Sequence, residues 1–280
     1  MKSLPIAIQV YGLRDLLENT PDKFKEVMEE VKYLGYNGVE LAGLYGLSPE
    51  FVRDTLNEVG LIPISAHVAF AEMMDDLEKV ISDYKIIGVR YLVMPYMAEE
   101  YRPGVNKEGF VKFLPLLNKV GEKINNAGMT FLYHNHDFEF VKLDNGKWGY
   151  DEMFNSIPHD NLMSELDTCW CDVATGEPVD FVKKYSGRIP VIHLKDYIKK
   201  GSPKNMYKLI GINSSESDEE DGSYFGYRPV GFGQMIWQPI LKQAVDSGVQ
   251  WVVVEQDEHY DLNPLEAARR SRDYLRILGW

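Results

Sequence analysis

Short apolar runs rich in β-branched residues alternate with amphipathic stretches along the whole chain. Eight such runs predict buried strands. In chain order they are IAIQV from Ile6, GVEL from Gly38, ISAHV from Ile64, YLVMP from Tyr91, TFLYHNH from Thr130, LMSELD from Leu162, VIHLKD from Val191 and WVVVEQD from Trp251. The amphipathic stretches between them predict helices. This alternation is typical of repeated βα units around a parallel sheet.

Eight strands in 280 residues leave about 35 residues for each strand and its helix, and no break in composition divides the chain. The sequence therefore predicts an α/β fold in which residues 1–280 form a single (β/α)8 TIM barrel. A doubly wound open sheet is the alternative, since a strand count does not prove closure. A long loop is expected at about 199–232, and it contains the acidic stretch SSESDEEDGS. Such a loop is either solvated or a lid over the site.

The net charge of the chain limits the classes of partner that it is expected to bind. Lys and Arg number 30 against 43 Asp and Glu, which gives a net charge of −13. This acidity argues against nucleic-acid binding and favours a small-molecule partner. No apolar stretch has the length of a membrane span, and the start MKSLPIAIQVYGL lacks the pattern of a signal peptide, so a cytoplasmic protein is expected. Dinucleotide, phosphate-loop and GxSxG motifs do not occur.

Histidines and acidic residues concentrate at the ends of the predicted strands. Four of the six histidines end strands three, five and seven: His67, His134, His136 and His193. Three acidic residues end strands two, six and eight: Glu40, Asp167 and Glu255. In a barrel the carboxyl ends of all strands converge on one bowl. Imidazoles and carboxylates that meet there indicate a divalent metal site.

Four other side chains near the bowl are candidates for contact with the metal or the substrate. His67 contacts a metal or the substrate, or is a histidine at the edge of the core. Glu40 binds substrate, or supports the metal ligands from behind. Tyr11, at the end of strand one, is a candidate for the wall of the substrate pocket. Trp170 is either a packing residue or a ring that stacks on a sugar.

Four segments carry a family resemblance. YHNHDFEF on strand five, ELDTCWCDVATGEP on strand six, VIHLKD on strand seven and VVVEQD on strand eight resemble the xylose isomerase-like TIM barrels, the sugar phosphate isomerase/epimerase group. The resemblance covers essentially the whole chain. In that family a glutamate, an aspartate, a histidine and a glutamate on strands five to eight hold a divalent metal, usually manganese. The last three correspond to Asp167, His193 and Glu255.

On strand five the sequence departs from the family pattern. The motif YHNH places His134 where the family has a glutamate, and Glu165, two residues before Asp167, is the alternative fourth ligand. Two histidines and two carboxylates suit manganese, zinc, cobalt or iron. The departure also removes one of the two glutamates that exchange the substrate proton in the family's epimerases. His136 is a candidate to replace it as acid or base.

The resemblance implies a metal-dependent sugar isomerase or epimerase that abstracts a proton next to a carbonyl of a sugar, keto-sugar or cyclitol. Glu255, His136 and Lys195 are the expected catalytic residues, with Lys195 holding a developing oxyanion. A dehydratase that uses the same enediolate is the second hypothesis, and a non-catalytic sugar-binding barrel is the third. An abasic-site nuclease of this fold is disfavoured by the acidic charge. Barrels of this family commonly pair, so a homodimer is expected.

Overall fold

Eight parallel strands pair edge to edge into a closed barrel. The computed structural model describes residues 3–17, 21–204, 206 and 222–280. The barrel strands are β1 (Ile6–Gln9), β2 (Gly38–Ala42), β3 (Ile62–His67), β4 (Tyr91–Met94), β5 (Thr130–His134), β6 (Met163–Asp167), β7 (Val191–Leu194) and β10 (Trp251–Val254). Their order around the barrel is β1-β10-β7-β6-β5-β4-β3-β2. The predicted TIM barrel is confirmed, and the open sheet is excluded because β1 pairs with both β2 and β10.

Helices connect the strands and cover the outside of the barrel. They are α1 (Pro21–Tyr33), α2 (Pro49–Val59), α3 (Phe70–Ile87), α4 (Lys107–Asn126), α5 (Gly149–Ser156), α6 (Thr168–Thr175), α7 (Pro178–Lys184), α8 (Trp237–Asp246) and α9 (Pro264–Ile277). Short 3-10 helices occupy Val10–Leu16 and Glu99–Tyr101. Among the described residues, no helix has the length and apolar character needed to cross a bilayer.

Local signals fix where these helices begin and end. In α2 the Ser48 side chain accepts a hydrogen bond from the Phe51 N–H, and Pro49 occupies the first turn, where its missing N–H costs nothing. Gly60 ends the helix at a φ of 78°, a left-handed conformation that glycine adopts without a steric penalty.

The inside of the barrel changes from apolar to polar along β5, β7 and β10. Successive inward side chains are two residues apart, because a strand alternates its faces. Leu132 is followed on this face by His134, Val191 by His193, and Val253 by Glu255. The apolar residues form a small cluster inside the barrel, whereas a second, much larger core fills the space between the strands and the helices. The alternation therefore places the polar side chains at the carboxyl-end mouth.

A β-hairpin lies in the region that the sequence interpretation treated as a loop. Strands β8 (Asp196–Lys200) and β9 (Tyr224–Arg228) pair antiparallel, with Tyr197 opposite Tyr227. The loop prediction for 199–232 is therefore wrong at residues 199–200 and 224–228. The acidic stretch up to Asp221 lies outside the described residues.

Asp196 anchors the segment that follows this hairpin. Its carboxylate accepts hydrogen bonds from the backbone N–H groups of Gly231 and Met235 and from the Trp237 indole N–H, at 2.8–3.1 Å. It also accepts from the N–H of Tyr197. Asp196 is fully buried, so these donors replace the water that its charge would otherwise need.

We expect Asp196→Ala to destabilise the fold by about 3 kcal/mol, because four N–H donors lose a charged acceptor. Urea unfolding followed by circular dichroism measures the change. Asp246→Ala is the matched control, since it removes only an exposed ion pair with Lys242 and should change stability by less than about 0.5 kcal/mol. Equal effects of the two substitutions would contradict the anchoring role.

Candidate active site

A cavity opens at the carboxyl-end mouth of the barrel. Its volume is about 330 Å³. The lining residues are Tyr11, Ala42, His67, Pro95, Tyr96, His134, His136, Lys195, Glu255 and Asp257. Six of the predicted site residues thus line the same cavity. Glu40 and Trp170 are buried outside this lining, and their predicted contact with substrate stays a prediction.

The four predicted metal ligands come together at the cavity, and two of them, His134 and Glu255, belong to its lining. We call His134, Asp167, His193 and Glu255 the upper cluster; one donor atom from each lies within 4.8 Å of the others. His193 Nδ1 is 2.8 Å from Glu255 Oε2, and His134 Nε2 is 3.7 Å from Asp167 Oδ2. Glu165, the alternative ligand, is not a member of this set.

The chemistry of the upper cluster fits a transition-metal ion. Asp167 is fully buried, and its Oδ2 has no hydrogen-bond partner among the described residues. A buried carboxylate oxygen without a donor is costly unless a cation completes it. Two imidazoles and two carboxylates form a donor set that suits manganese, zinc, cobalt or iron. The assignment of these four residues as ligands remains a proposal.

The ammonium group of Lys195 is the fixed positive charge of the cavity wall. Lys195 Nζ lies 2.8 Å from Glu255 Oε2, 3.0 Å from Asp257 Oδ2 and 3.4 Å from Asp167 Oδ2. Burial lowers the pKa of Lys195, but these carboxylates outweigh it and raise the pKa well above the usual value. Lys195 is therefore charged at neutral pH.

The two carboxylates on the cavity wall respond to Lys195 differently. Burial raises the pKa of Glu255, but Lys195 and His193 outweigh burial and hold that pKa well below its usual value. For Asp257, burial dominates over the attraction of Lys195 and raises the pKa to about 6. Glu255 is ionised at neutral pH, whereas Asp257 titrates close to it.

His136 is a neutral imidazole next to Lys195. Burial first, and then the positive charge of Lys195, hold the pKa of His136 well below its usual value. Its ring stacks on Phe138 and contacts Trp170, with ring centres 5.1 and 5.3 Å apart. Its buried Nδ1 has no hydrogen-bond partner among the described residues. His136 lines the cavity, and a neutral imidazole in that place can accept a proton from a bound substrate.

Trp170 supports this part of the cavity from behind. It lies in the first turn of α6, is almost fully buried, and stacks on Phe225 of β9 with ring centres 5.5 Å apart. Tyr227 of β9 brings its ring within 5.7 Å of Lys195 Nζ. The hairpin thus packs against the residues that position His136 and Lys195.

Several residues of the site were not predicted from the sequence. Asn135 joins the ends of β5 and β6, because its Oδ1 accepts from the Asp167 N–H and its Nδ2 donates to the Asp167 carbonyl. Glu139 accepts hydrogen bonds from the Tyr133 hydroxyl and from the His136 N–H. Asp257 follows Glu255 by two residues, so the alternation of side chains along a strand could have identified it.

Comparison with known proteins supports the TIM-barrel fold. The family model for the xylose isomerase-like TIM barrel matches residues 28–278. The chain belongs to this family.

Similar proteins carry several different names. Inosose dehydratase from Clostridium botulinum is 23% identical, over 92% of this chain and 90% of its own. A sugar phosphate isomerase/epimerase from Parabacteroides distasonis superposes with a TM-score of 0.75 at 21% identity, over 98% of each chain. The probable 3-DHS dehydratase from Bacillus anthracis has a TM-score of 0.78 at 14% identity, over 98% of this chain and 99% of that one. Identities this low show the shared fold and leave the reaction open.

The raised pKa of Glu139 predicts how the stability of the fold changes with pH. Burial raises the pKa of the Glu139 carboxyl group from its usual value of 4.5 to about 8. Between these two pH values the carboxyl group is protonated in the folded protein and ionised in the unfolded chain. The free energy of unfolding therefore falls as pH rises between these two values, by at most about 1.4 kcal/mol per pH unit from this group. In Glu139→Gln this contribution is absent, so urea unfolding from about pH 5 to about pH 8 should show a flatter profile than the wild type.

The exposed Glu122 provides the matched control, and Glu122→Gln should retain the wild-type profile. A Glu139→Gln variant whose stability falls as steeply as that of the wild type would show that Glu139 is not the group responsible.

Proposed function

We propose that the protein dehydrates an uncharged keto-sugar or keto-cyclitol by proton abstraction next to the carbonyl. The observation that carries this proposal is one cavity in which a neutral imidazole, His136, faces the same space as the Lys195 ammonium, above a cluster of metal-ligand type. The chain's similarity to inosose dehydratase and to a probable 3-DHS dehydratase supports the reaction class.

The metal ligands, His136 and Lys195 each have a role in this reaction. A divalent ion in the upper cluster, held by His134, Asp167, His193 and Glu255, would supply Lewis-acid polarisation of the substrate carbonyl. His136 takes the proton from the carbon next to the carbonyl, and Lys195 stabilises the negative charge that develops on oxygen.

His136 can also complete the elimination. The imidazolium that forms donates its proton to the hydroxyl group on the next carbon, whose C–O bond breaks as the new C=C bond forms. Proton and hydroxide leave together as water, so no oxidant or reductant is needed. One neutral histidine thus serves both steps of the dehydration. Epimerisation instead exchanges a proton on opposite faces of one carbon, which requires two bases.

Epimerisation is the second candidate function, and Asp257 is the observation that favours it. Asp257 lines the same cavity, and burial raises its pKa to about 6, which suits a second proton-transfer group. The similarity to a sugar phosphate isomerase/epimerase also fits this reaction.

The charges of the cavity favour a substrate without phosphate. The described lining contains one lysine and no arginine, and Lys195 is already paired with Asp257 and Glu255. Arg14, next to Tyr11, directs its Nη1 to the backbone oxygens of Tyr11 and Asp257. A phosphate dianion requires free cationic or N–H donors, and juxtaposed like charges cost several kcal/mol.

Product analysis tests the proposed reaction. The protein loaded with Mn²⁺ or Zn²⁺ is incubated in heavy water with an inosose, with unphosphorylated keto-sugars and with their phosphates. We expect a product lighter by one water from an unphosphorylated substrate, and at least about tenfold lower kcat/KM for its phosphate. Deuterium incorporation without loss of water would favour epimerisation or isomerisation. The absence of both from the whole panel would contradict sugar chemistry at this cavity.

His136→Asn tests the proposed base. Loss of a general base should lower kcat by about 10²- to 10⁴-fold while the metal content of the protein stays unchanged. The matched control is His159→Asn, since His159 is an exposed histidine far along the chain from the cavity residues. Steady-state kinetics and metal analysis are measured on the same preparations. A His136→Asn variant with wild-type kcat would remove His136 from the mechanism.

A further inference from the structure

A second group of imidazoles and carboxylates lies one layer below the upper cluster. We call Glu40, His67, Glu165 and His193 the lower cluster. Their donor atoms form a ring in which oxygen and nitrogen alternate. Around it, Glu40 Oε1 to His67 Nε2 is 3.1 Å, His67 Nε2 to Glu165 Oε2 is 2.7 Å, Glu165 Oε2 to His193 Nε2 is 3.2 Å, and His193 Nε2 to Glu40 Oε1 is 2.8 Å.

These separations are close to those between ligands of one metal ion. Four donors with bonds of about 2.1 Å to a tetrahedral ion are roughly 3.4 Å apart, so the donors of the ring lie slightly closer together than in such a site. His134 Nδ1 is 3.1 Å from Glu165 Oε2 and offers a further donor beside the ring. A donor set with several imidazoles favours zinc, manganese, iron or cobalt over magnesium or calcium.

The two carboxylates of the lower cluster lack a permanent positive charge. Both are fully buried, and among the described residues their ion pairs are to histidines, with no lysine or arginine. In the upper cluster, by contrast, the Lys195 ammonium lies 2.8 Å from Glu255. A divalent cation would therefore supply the lower cluster with fixed positive charge of the kind that Lys195 supplies to the upper one.

Two buried atoms of the lower residues also lack hydrogen bonds. Glu165 Oε1, the oxygen of this carboxylate that is not part of the ring, has no hydrogen-bond partner within the described part of the chain. His193 Nε2 lies close to both carboxylates, but it has no hydrogen bond of acceptable direction to either. A ring nitrogen near two oxygens but aligned with neither is the arrangement expected of ligands around a common cation.

We propose that the lower cluster is a second binding position for a divalent transition-metal ion, with Glu40, His67, Glu165 and His193 as ligands. Coordination through His193 Nε2 leaves its Nδ1–H to donate to Glu255, 2.8 Å away, as metal-bound histidines commonly do. A neutral imidazole has one lone pair, so His193 serves either the lower or the upper position. Each chain therefore holds one ion, and removal of the upper carboxylates shifts it to the lower position.

The test uses a full-length Asp167→Asn/Glu255→Gln variant, which lacks both carboxylates of the upper cluster. After loading with Zn²⁺ and desalting, inductively coupled plasma mass spectrometry should still find one Zn²⁺ per chain. Addition of His67→Asn to this variant should weaken Zn²⁺ binding, measured by chelator competition, at least about 100-fold. The matched control is His159→Asn in the same background, which should leave Zn²⁺ binding unchanged.

Circular dichroism and thermal unfolding establish that each variant is folded. If the double variant does not fold, Asp167→Asn/Glu255→Ala, which also lacks both upper carboxylates, takes its place with the same expectations. A folded variant without Zn²⁺, or one whose Zn²⁺ affinity is insensitive to His67→Asn, would overturn the lower position. Because the readout is metal content and not turnover, failure of this proposal is distinguishable from failure of the proposed dehydration.

Discussion

Buried carboxylates at the mouth of the barrel require positive charge close to them, and the arrangement of the site follows from this requirement. Glu40, Glu165, Asp167 and Glu255 are almost completely excluded from solvent. An ionised carboxylate in such a place is stable only beside a cation or several hydrogen-bond donors. Lys195 supplies part of the positive charge that Glu255 and Asp167 require. Histidines supply part of what Glu40 and Glu165 require. The remaining unpartnered oxygens are the basis for proposing a divalent ion.

The same balance of charge explains the proton chemistry proposed for the cavity. Lys195 keeps Glu255 ionised and, together with burial, keeps His136 neutral. A neutral base and a fixed cation therefore coexist within one small space. His134 occupies the place where the family resemblance implies a glutamate, so the two-carboxylate symmetry of an epimerase is broken. That asymmetry favours an elimination in which a single histidine moves the proton.

Much of the fold could be predicted because each barrel strand is a short β-branched run with a clear end. Their positions at the ends of predicted strands also indicated that His134, His193 and Glu255 converge, and the structure brings them together. The β8–β9 hairpin was missed for a physical reason: β8 begins at Asp196, two residues after β7 ends, and no turn residue separates them. Asn135 and Glu139 were missed because both act through hydrogen bonds to backbone groups. Asn135 accepts from the N–H of Asp167, which is 32 residues away in the chain, and Glu139 accepts from the N–H of His136 within a turn.

Anomalous diffraction from crystals grown with Zn²⁺ tests the central claim most directly, because it locates the ion without reference to activity. We predict one anomalous peak per chain, within bonding distance of His193, at Nδ1 in the upper cluster or at Nε2 in the lower cluster. A crystal whose barrel mouth shows no such peak, with Lys195 and the histidines alone facing the buried carboxylates, would contradict metal binding at this site.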